Sequence, residues 1–183
     1  PIVENMPSGS AIRPGDVLHM RNGKTIEVMN TDAEGRLIMA DALAFASESK
    51  PDIICDVATL TGAAYVALGV EIGAVFSNNK VTLDSFLNSN NDGFENYHSL
   101  PLEQSYKSQI KSNIADMKNS GGRFGGAITA ALLLEEFVDD LDWVHLDIAG
   151  PARSRSNNSI YPEGGTGFGV LGYFNFLTNE ANS

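Results

Sequence analysis

Sulfur and imidazole are scarce in this chain, and positive charge is outnumbered by negative. A single cysteine, Cys55, among 183 residues has no partner for an intrachain disulfide, so a reducing, cytoplasmic setting is expected. Cys55 lies in the apolar run Ile53-Ile54-Cys55-Asp56-Val57 and reads as a small hydrophobe, not a nucleophile. His19, His98 and His145 share no close spacing of the His-x-x-x-His kind; His19 and His145 fall in predicted strands among apolar neighbours, which favours structural roles over ligation. No G-x-S-x-G elbow is present, and no Cys/His pairing suggests a nucleophilic hydrolase. With 12 Lys and Arg against 23 Asp and Glu, the net charge is -11 and no basic stripe is available to neutralise phosphates. That balance excludes nucleic acid and anionic membrane surfaces as expected partners. No apolar run reaches membrane-spanning length. The start, Pro1-Ile2-Val3-Glu4, has neither a basic region nor an apolar leader and lacks an initiator Met, so the chain is expected to begin inside a longer protein.

What is present is enough for a core. Hydrophobic residues make up 43% and charged residues 19%, the balance of a soluble globular domain, and 183 residues predict one domain. Residues 8 to 25, rich in Gly, Ser and Pro, read as loop with a short strand near Val17-Leu18-His19-Met20. Thr25-Ile26-Glu27-Val28-Met29 alternates and reads as a strand. Leu37, Ile38, Ala40, Leu43 and Ala44 recur at helical spacing, and no Gly or Pro interrupts them. Asp52 to Val57 predicts a buried parallel strand. Residues 64 to 76 fit a helix or a strand, followed by a strand at Ala74-Val75-Phe76.

Asn78 to Gly93 predicts a helix with Leu83, Phe86 and Leu87 on its apolar stripe, and residues 101 to 113 resemble a second one. Ala127 to Val138 predicts a further helix; Trp143 to Ile148 predicts a strand with Val144, Leu146 and Ile148 on one face. Gly169 to Leu177 closes as a terminal helix before a polar tail. Strands alternating with helices imply an α/β fold, a mixed, largely parallel β-sheet flanked by helices.

The chemistry concentrates in Asn30-Thr31-Asp32-Ala33-Glu34-Gly35-Arg36-Leu37. If the backbone is extended there, Asp32, Glu34 and Arg36 point to the same side and converge. Two carboxylates offer hard oxygens for a small divalent cation, and a neighbouring guanidinium grips an anion with fixed donors. The plain alternative is an exposed polar loop, with Arg36 in a salt bridge to Asp32 or Glu34.

This octapeptide resembles the signature of the leucyl aminopeptidase (cytosol aminopeptidase) family of two-metal exopeptidases. Other stretches agree in order: Glu4-Asn5-Met6-Pro7, Pro14-Gly15-Asp16, Asp56-Val57-Ala58-Thr59-Leu60-Thr61-Gly62-Ala63, Gly125-Gly126-Ala127-Ile128-Thr129-Ala130-Ala131, and His145-Leu146-Asp147-Ile148-Ala149-Gly150-Pro151. The similarity extends to about Leu177. It implies release of N-terminal residues, preferentially leucine, from peptides. Asp32 and Glu34 would ligate a pair of divalent metals (zinc, manganese or magnesium), and Arg36 would be the catalytic arginine, holding a bicarbonate that serves as general base. Thr59, Leu60 and Gly62 would receive the substrate's first residue and scissile peptide. Asn30 and Ala33 would flank the leaving-group side, and Ala149 and Ala152 would line the first side-chain pocket. The resemblance also implies a homo-oligomer, a hexamer of two stacked trimers.

The family's remaining ligands, a lysine and two aspartates, and a second lysine that polarises the carbonyl, precede its Glu-Asn-Met-Pro stretch. That stretch here stands at the start, at Glu4 to Pro7. The chain is therefore expected to be the C-terminal portion of the catalytic domain, binding metal weakly by itself. The alternative, from another class, is a non-catalytic fragment or pseudoenzyme acting through oligomer contacts. Two glycine patterns carry less. Gly167-Phe168-Gly169-Val170-Leu171-Gly172 satisfies G-x-G-x-x-G but lacks the preceding strand and the later acidic residue of a dinucleotide site. Gly121-Gly122-Arg123-Phe124-Gly125-Gly126 reads as an anion nest at a helix start or as loop packing; the resemblance puts it at the active-site rim.

Overall fold

The computed structural model describes residues 1–183 except Asn5, Asp92, residues 158–160 and Ser183; the Glu4-to-Pro7 stretch and the helix expected to reach Gly93 thus each include one residue outside that set. Contacts divide the chain into two compact units, Pro1–Ile54 with Leu102–Leu141, and Cys55–Pro101 with Asp142–Ser183.

In the first unit, β1 (Val17–His19) pairs antiparallel with β2 (Thr25–Glu27), and β2 pairs parallel with β6 (Met117–Lys118). α1 (Glu34–Ser47) packs against α4 (Gly126–Glu135). Their shared core includes Leu37, Leu43, Leu132, Leu133 and Phe137, all buried. α4 begins at Gly125, whose φ of 67° is left-handed and whose absent Cβ leaves room for the Tyr106 ring. Glu136, just past α4, takes Lys24 Nζ and Lys107 Nζ, each at 2.6 Å. Residues 101 to 113, expected to form a helix like the one before them, form only a 3-10 helix at Gln104–Ile110. Its burial is slight, with Ile110 the one buried residue, so little apolar packing is there to sustain α-helical hydrogen bonding.

In the second unit a four-stranded sheet has the order β3-β7-β4-β5. Its strands are β3 (Ile53–Ala58), β4 (Ile72–Ser77), β5 (Asn96–Ser99) and β7 (Asp142–Asp147). β4 runs parallel to β5 and antiparallel to β7, so the sheet is mixed. The ambiguous stretch after residue 63 resolves into α2 (Gly62–Leu68) and then β4. β7 occupies an interior position and is buried on both faces from Trp143 to Asp147, not on the single face its alternation predicts. β3, expected to be buried, is an edge strand with Val57 46% exposed. Burial pushes the Cys55 thiol up to about 12, helped by the charges of Asp56 and Glu180, so it carries no thiolate at neutral pH.

α3 (Lys80–Ser89) starts where the Asn79 side chain accepts from Val81 N at 2.8 Å. Its Phe86, fully buried, meets Tyr97, Tyr173 and Phe176 edge-on at centroid distances of 5.0, 5.8 and 5.5 Å. Tyr173 and Phe176 lie on α5 (Val170–Glu180). A short ribbon, β8 (Arg153–Ser154) with β9 (Gly164–Gly165), completes the unit.

The G-x-G-x-x-G amides at the start of α5 are already matched to an anion from the chain itself. Buried Glu95 accepts from Gly169 N at 2.9 Å and from Gly172 N at 2.8 Å, while Tyr97 Oη donates to it at 2.6 Å. The positive end of the helix is thus satisfied by a carboxylate, in the place a pyrophosphate would need. On β7, His145 is wholly buried and stacks with the Phe76 and Trp143 rings. Asp56 engages His145 Nδ1 at 2.5 Å and accepts from Trp143 Nε1 at 2.6 Å.

Two stability measurements follow from these buried carboxylates. Glu95→Gln turns an acceptor into an amide that cannot satisfy all three donors, and should cost about 1–3 kcal/mol in urea-denaturation midpoint analysis. Burial pulls the His145 pKa down, but Asp56 outweighs it, and the net direction is up from the usual 6.5. The folded state therefore binds the proton more tightly than the unfolded state. This contribution is fully present below pH 6.5 and is lost as pH rises through the higher folded value. Denaturant midpoints taken at stepped pH should fall across that window, and should do so less steeply in His145→Gln.

Candidate active site

The acidic motif belongs to the first unit, and its backbone is helical, not extended as the alternation argument required. Asn30 is the last extended residue, with φ -138° and ψ 118°, and its side chain accepts from Asp32 N at 3.0 Å. A 3-10 turn over Thr31–Ala33 then runs directly into α1. The cap and the helix formers that follow it win over the strand, which stops at Glu27. Side chains two apart on a helix do not face each other, so alternation cannot gather these three groups. Asp32, exposed, and Glu34, half-buried, nevertheless line one cleft of about 890 Å³, along with Glu4 and Arg13. Arg36 is half-buried in the first turn of α1 and is not among the residues lining that cleft.

What fixes this turn is a residue that the sequence reading passed over. Asn119 has no exposed surface, and it follows β6, where its N–H donates to Glu27 O at 3.0 Å. Its side-chain Oδ1 accepts from Met29 N at 2.8 Å and Asn30 N at 3.2 Å. Its Nδ2 donates to Asn30 O at 2.7 Å and Ala33 O at 3.4 Å. An amide offers both donors and acceptors on one planar head, so Asn119 satisfies main-chain groups of both kinds along the motif. The register of β2 with β6 delivers it there.

The second set of expected site residues lies in the second unit. Thr59 and Gly62 are exposed, while Leu60, Ala149 and Ala152 are half-buried. Buried Asp147, at the end of β7, ties their two segments together. Its Oδ1 accepts from Leu60 N at 3.1 Å, Thr61 N at 3.4 Å and Ala149 N at 3.2 Å. Its Oδ2 accepts from Thr61 Oγ1 at 2.6 Å. Thr61 in turn caps α2, accepting from Ala64 N at 3.0 Å. Ile148 N donates to Ala58 O at 2.8 Å and Ala152 N to Ile148 O at 3.0 Å, which sets the course of the second segment. Gly150 must be glycine, because a Cβ there would run into the carbonyl of Gly69. Asn30, Asp32, Ala33, Glu34 and Arg36 thus fall in one unit, and Thr59, Leu60, Gly62, Ala149 and Ala152 in the other.

As a metal donor set, the motif fits in kind and falls short in number. Asp32 and Glu34 present hard oxygens to one cleft. Among the described residues no group of three or more His, Cys, Asp or Glu side chains is placed to hold an ion. Two carboxylates supply part of a coordination shell and cannot complete one for a pair of ions. Asn119 and Asp147 could have been suspected only as polar residues at strand ends, since their side-chain partners in the motif and in the Leu60-Thr61 segment lie 86 to 90 residues away in sequence.

The comparisons with known proteins agree with one another. Probable cytosol aminopeptidases of Prochlorococcus marinus subsp. pastoris and Syntrophotalea carbinolica are each 51% identical, over 97% and 98% of this chain respectively. The chain spans 36% of the length of each of these relatives. A solved tomato leucine aminopeptidase variant superposes with a TM-score of 0.91 at 44% identity, covering 96% of this chain and 34% of the other. The bottromycin maturation enzyme BotP, in complex with Mn, gives 0.94 at 40% identity over 99% of this chain and 41% of its own. No helix among the described residues is long and apolar enough to cross a membrane. The model of the cytosol aminopeptidase family's catalytic domain matches residues 1–172, and the chain belongs to that family.

Proposed function

We propose that this chain forms part of a cytosolic, metal-dependent aminopeptidase that releases N-terminal residues, leucine preferred, from peptides. The observation that carries the reading is the family's motif, with its two carboxylates, Asp32 and Glu34, on one cleft. They would hold a share of two divalent ions, zinc, manganese or magnesium, and the reading requires donors beyond this pair. Bound metal supplies Lewis-acid polarisation of the scissile carbonyl and a more acidic water. Arg36 would hold a bicarbonate through its guanidinium donors, keeping a weak base beside the reacting centre.

Thr59, Leu60 and Gly62 would bind the first residue and its peptide, with the side chain against Ala149 and Ala152. Small residues in that second segment leave room for a branched aliphatic group such as leucine. Asn30 and Ala33 would flank the departing peptide, with Asn119 keeping their main chain fixed. Assembly as a homo-oligomer, a hexamer in the family's manner, belongs to the same reading.

The test is hydrolysis of leucine p-nitroanilide by the whole enzyme of which this chain forms part, with chelator and then with Mn2+ or Zn2+ restored. Activity should vanish and return, and leucine should outperform glycine at the first position. Asp32→Asn and Glu34→Gln should each lower kcat/KM by about 100- to 1,000-fold, the loss of several kcal/mol of transition-state stabilisation. Undiminished turnover in Asp32→Asn would overturn the assignment. Inactivity of the wild type at every metal concentration would favour a non-catalytic role.

The two buried clamps give separable outcomes. Asn119→Asp keeps the acceptor but removes both amide donations, and should lower kcat and metal affinity by about 10- to 100-fold, as for residues supporting a metal's ligands. Asp147→Asn should instead act mainly on KM, because it loosens the Leu60 and Ala149 amides. Steady-state kinetics with metal titration distinguishes the two patterns.

A further inference from the structure

A second cavity, of about 510 Å³, lies wholly within the second unit, and none of the expected site residues lines it. Its volume falls in the roughly 300–1,000 Å³ range of small-molecule sites. We propose that it binds a free amino acid as the zwitterion, with an apolar side chain. The choice of ligand rests on the aminopeptidase reading, since a free amino acid is what that reaction releases. The recognition chemistry rests on the cavity alone.

Its wall carries both signs of charge. In a chain with 12 cationic side chains against 23 acidic ones, two guanidiniums, Arg153 and Arg155, face this one space. Arg153 is on β8 and Arg155 is in the bend that follows it, and both line the cavity. Arg155 Nη2 also donates to Tyr65 Oη at 3.4 Å, which steadies its fork. Guanidiniums in that arrangement suit a carboxylate. Glu71, immediately before β4, brings a carboxylate to the same cavity and suits an ammonium.

Among the uncharged lining residues, three aromatic rings stand beside Val70, Pro151 and small polar side chains. Phe168 is 5% exposed and packs on Tyr97 with ring centroids 5.2 Å apart, giving the cavity a fixed apolar wall. Phe94 and Tyr161 stand on the same cavity. These rings take a side chain by burial, and their faces also favour a nearby cation. A simple anion would leave Glu71 unmatched, and a simple cation would sit against two guanidiniums. A molecule with an ammonium and a carboxylate on one carbon and an apolar body answers all three parts of the wall.

Titration calorimetry on the full chain in chelator, with L-phenylalanine as the probe, tests this without any contribution from metal or turnover. Two half-ligands, 3-phenylpropionate and phenethylamine, complete the series. Wild type should bind phenylalanine saturably and each half-ligand at least about ten-fold more weakly, the loss of one charge-assisted contact. Arg153→Ala and Arg155→Ala should each weaken phenylalanine about ten-fold, with phenethylamine unaffected. Glu71→Gln should weaken phenylalanine and spare 3-phenylpropionate. All three side chains are exposed, so the variants should keep the wild-type melting curve.

No saturable binding by wild type, or equal affinity in the double arginine variant, would overturn the proposal. So would equal affinity of wild type for phenylalanine and phenethylamine, a result independent of any variant's folding. Failure of peptide hydrolysis with metal restored would sink the aminopeptidase reading and leave this binding result untouched.

Discussion

The planar amide of Asn119 imposes the course of the acidic motif. It is fully buried, and it receives from and donates to main-chain groups between Met29 and Ala33. A polar head in that position is stable only while those partners stay in place, since an unmatched buried amide costs about 1–3 kcal/mol per group. The dependence is mutual. The turn that carries Asp32 towards Glu34 needs its carbonyls and amides satisfied where no strand or helix ladder reaches them, and Asn119 supplies this from the end of β6. The two carboxylates can therefore share a cleft despite helical geometry that alone would separate them.

The second unit repeats the device with a charged group. Asp147 gathers three main-chain amides and one hydroxyl, so a negative charge at the end of β7 is spread over fixed donors. Glu95 does the same at the start of α5, and Asp56 beneath β7. In an acidic protein, buried Asp147 and Glu95 are structural, matched by donors that hold a loop and a helix end, while half-buried Asp56 holds the Trp143 and His145 side chains. The acids of the motif differ, Asp32 being exposed and Glu34 half-buried. Asp32 and Glu34 both line one cleft.

Much of the architecture was legible because apolar spacing is local. The pattern from Leu37 to Ala44, the leucine run in α4 and the β-branched stretch of β2 each declared their element. Failures came where tertiary position decided the outcome. Trp143, His145 and Asp147 are buried because β7 is interior to its sheet, and β3 is half-exposed because it is at the edge. Neither fact is contained in the strands' own residues. Residues 101 to 113 had enough apolar character for a helix but no face to bury it on. At the motif, the extended geometry expected for Asp32, Glu34 and Arg36 was misjudged, because the cap at Asn30 outweighed the preceding strand.

The amino-acid sequence by itself determined which family this chain belongs to, since a run of eight residues states composition and order directly. It also left no second cysteine for a disulfide within these 183 residues. Only the tertiary structure decided that the motif is a helix entry, that Asn119 and Asp147 hold the two segments, and that Glu95 fills the glycine-rich helix start. The physical reason is range. A hydrophobic period is read over a few neighbouring residues, whereas a buried hydrogen-bond partner is chosen by which distant strand end the folded chain brings alongside.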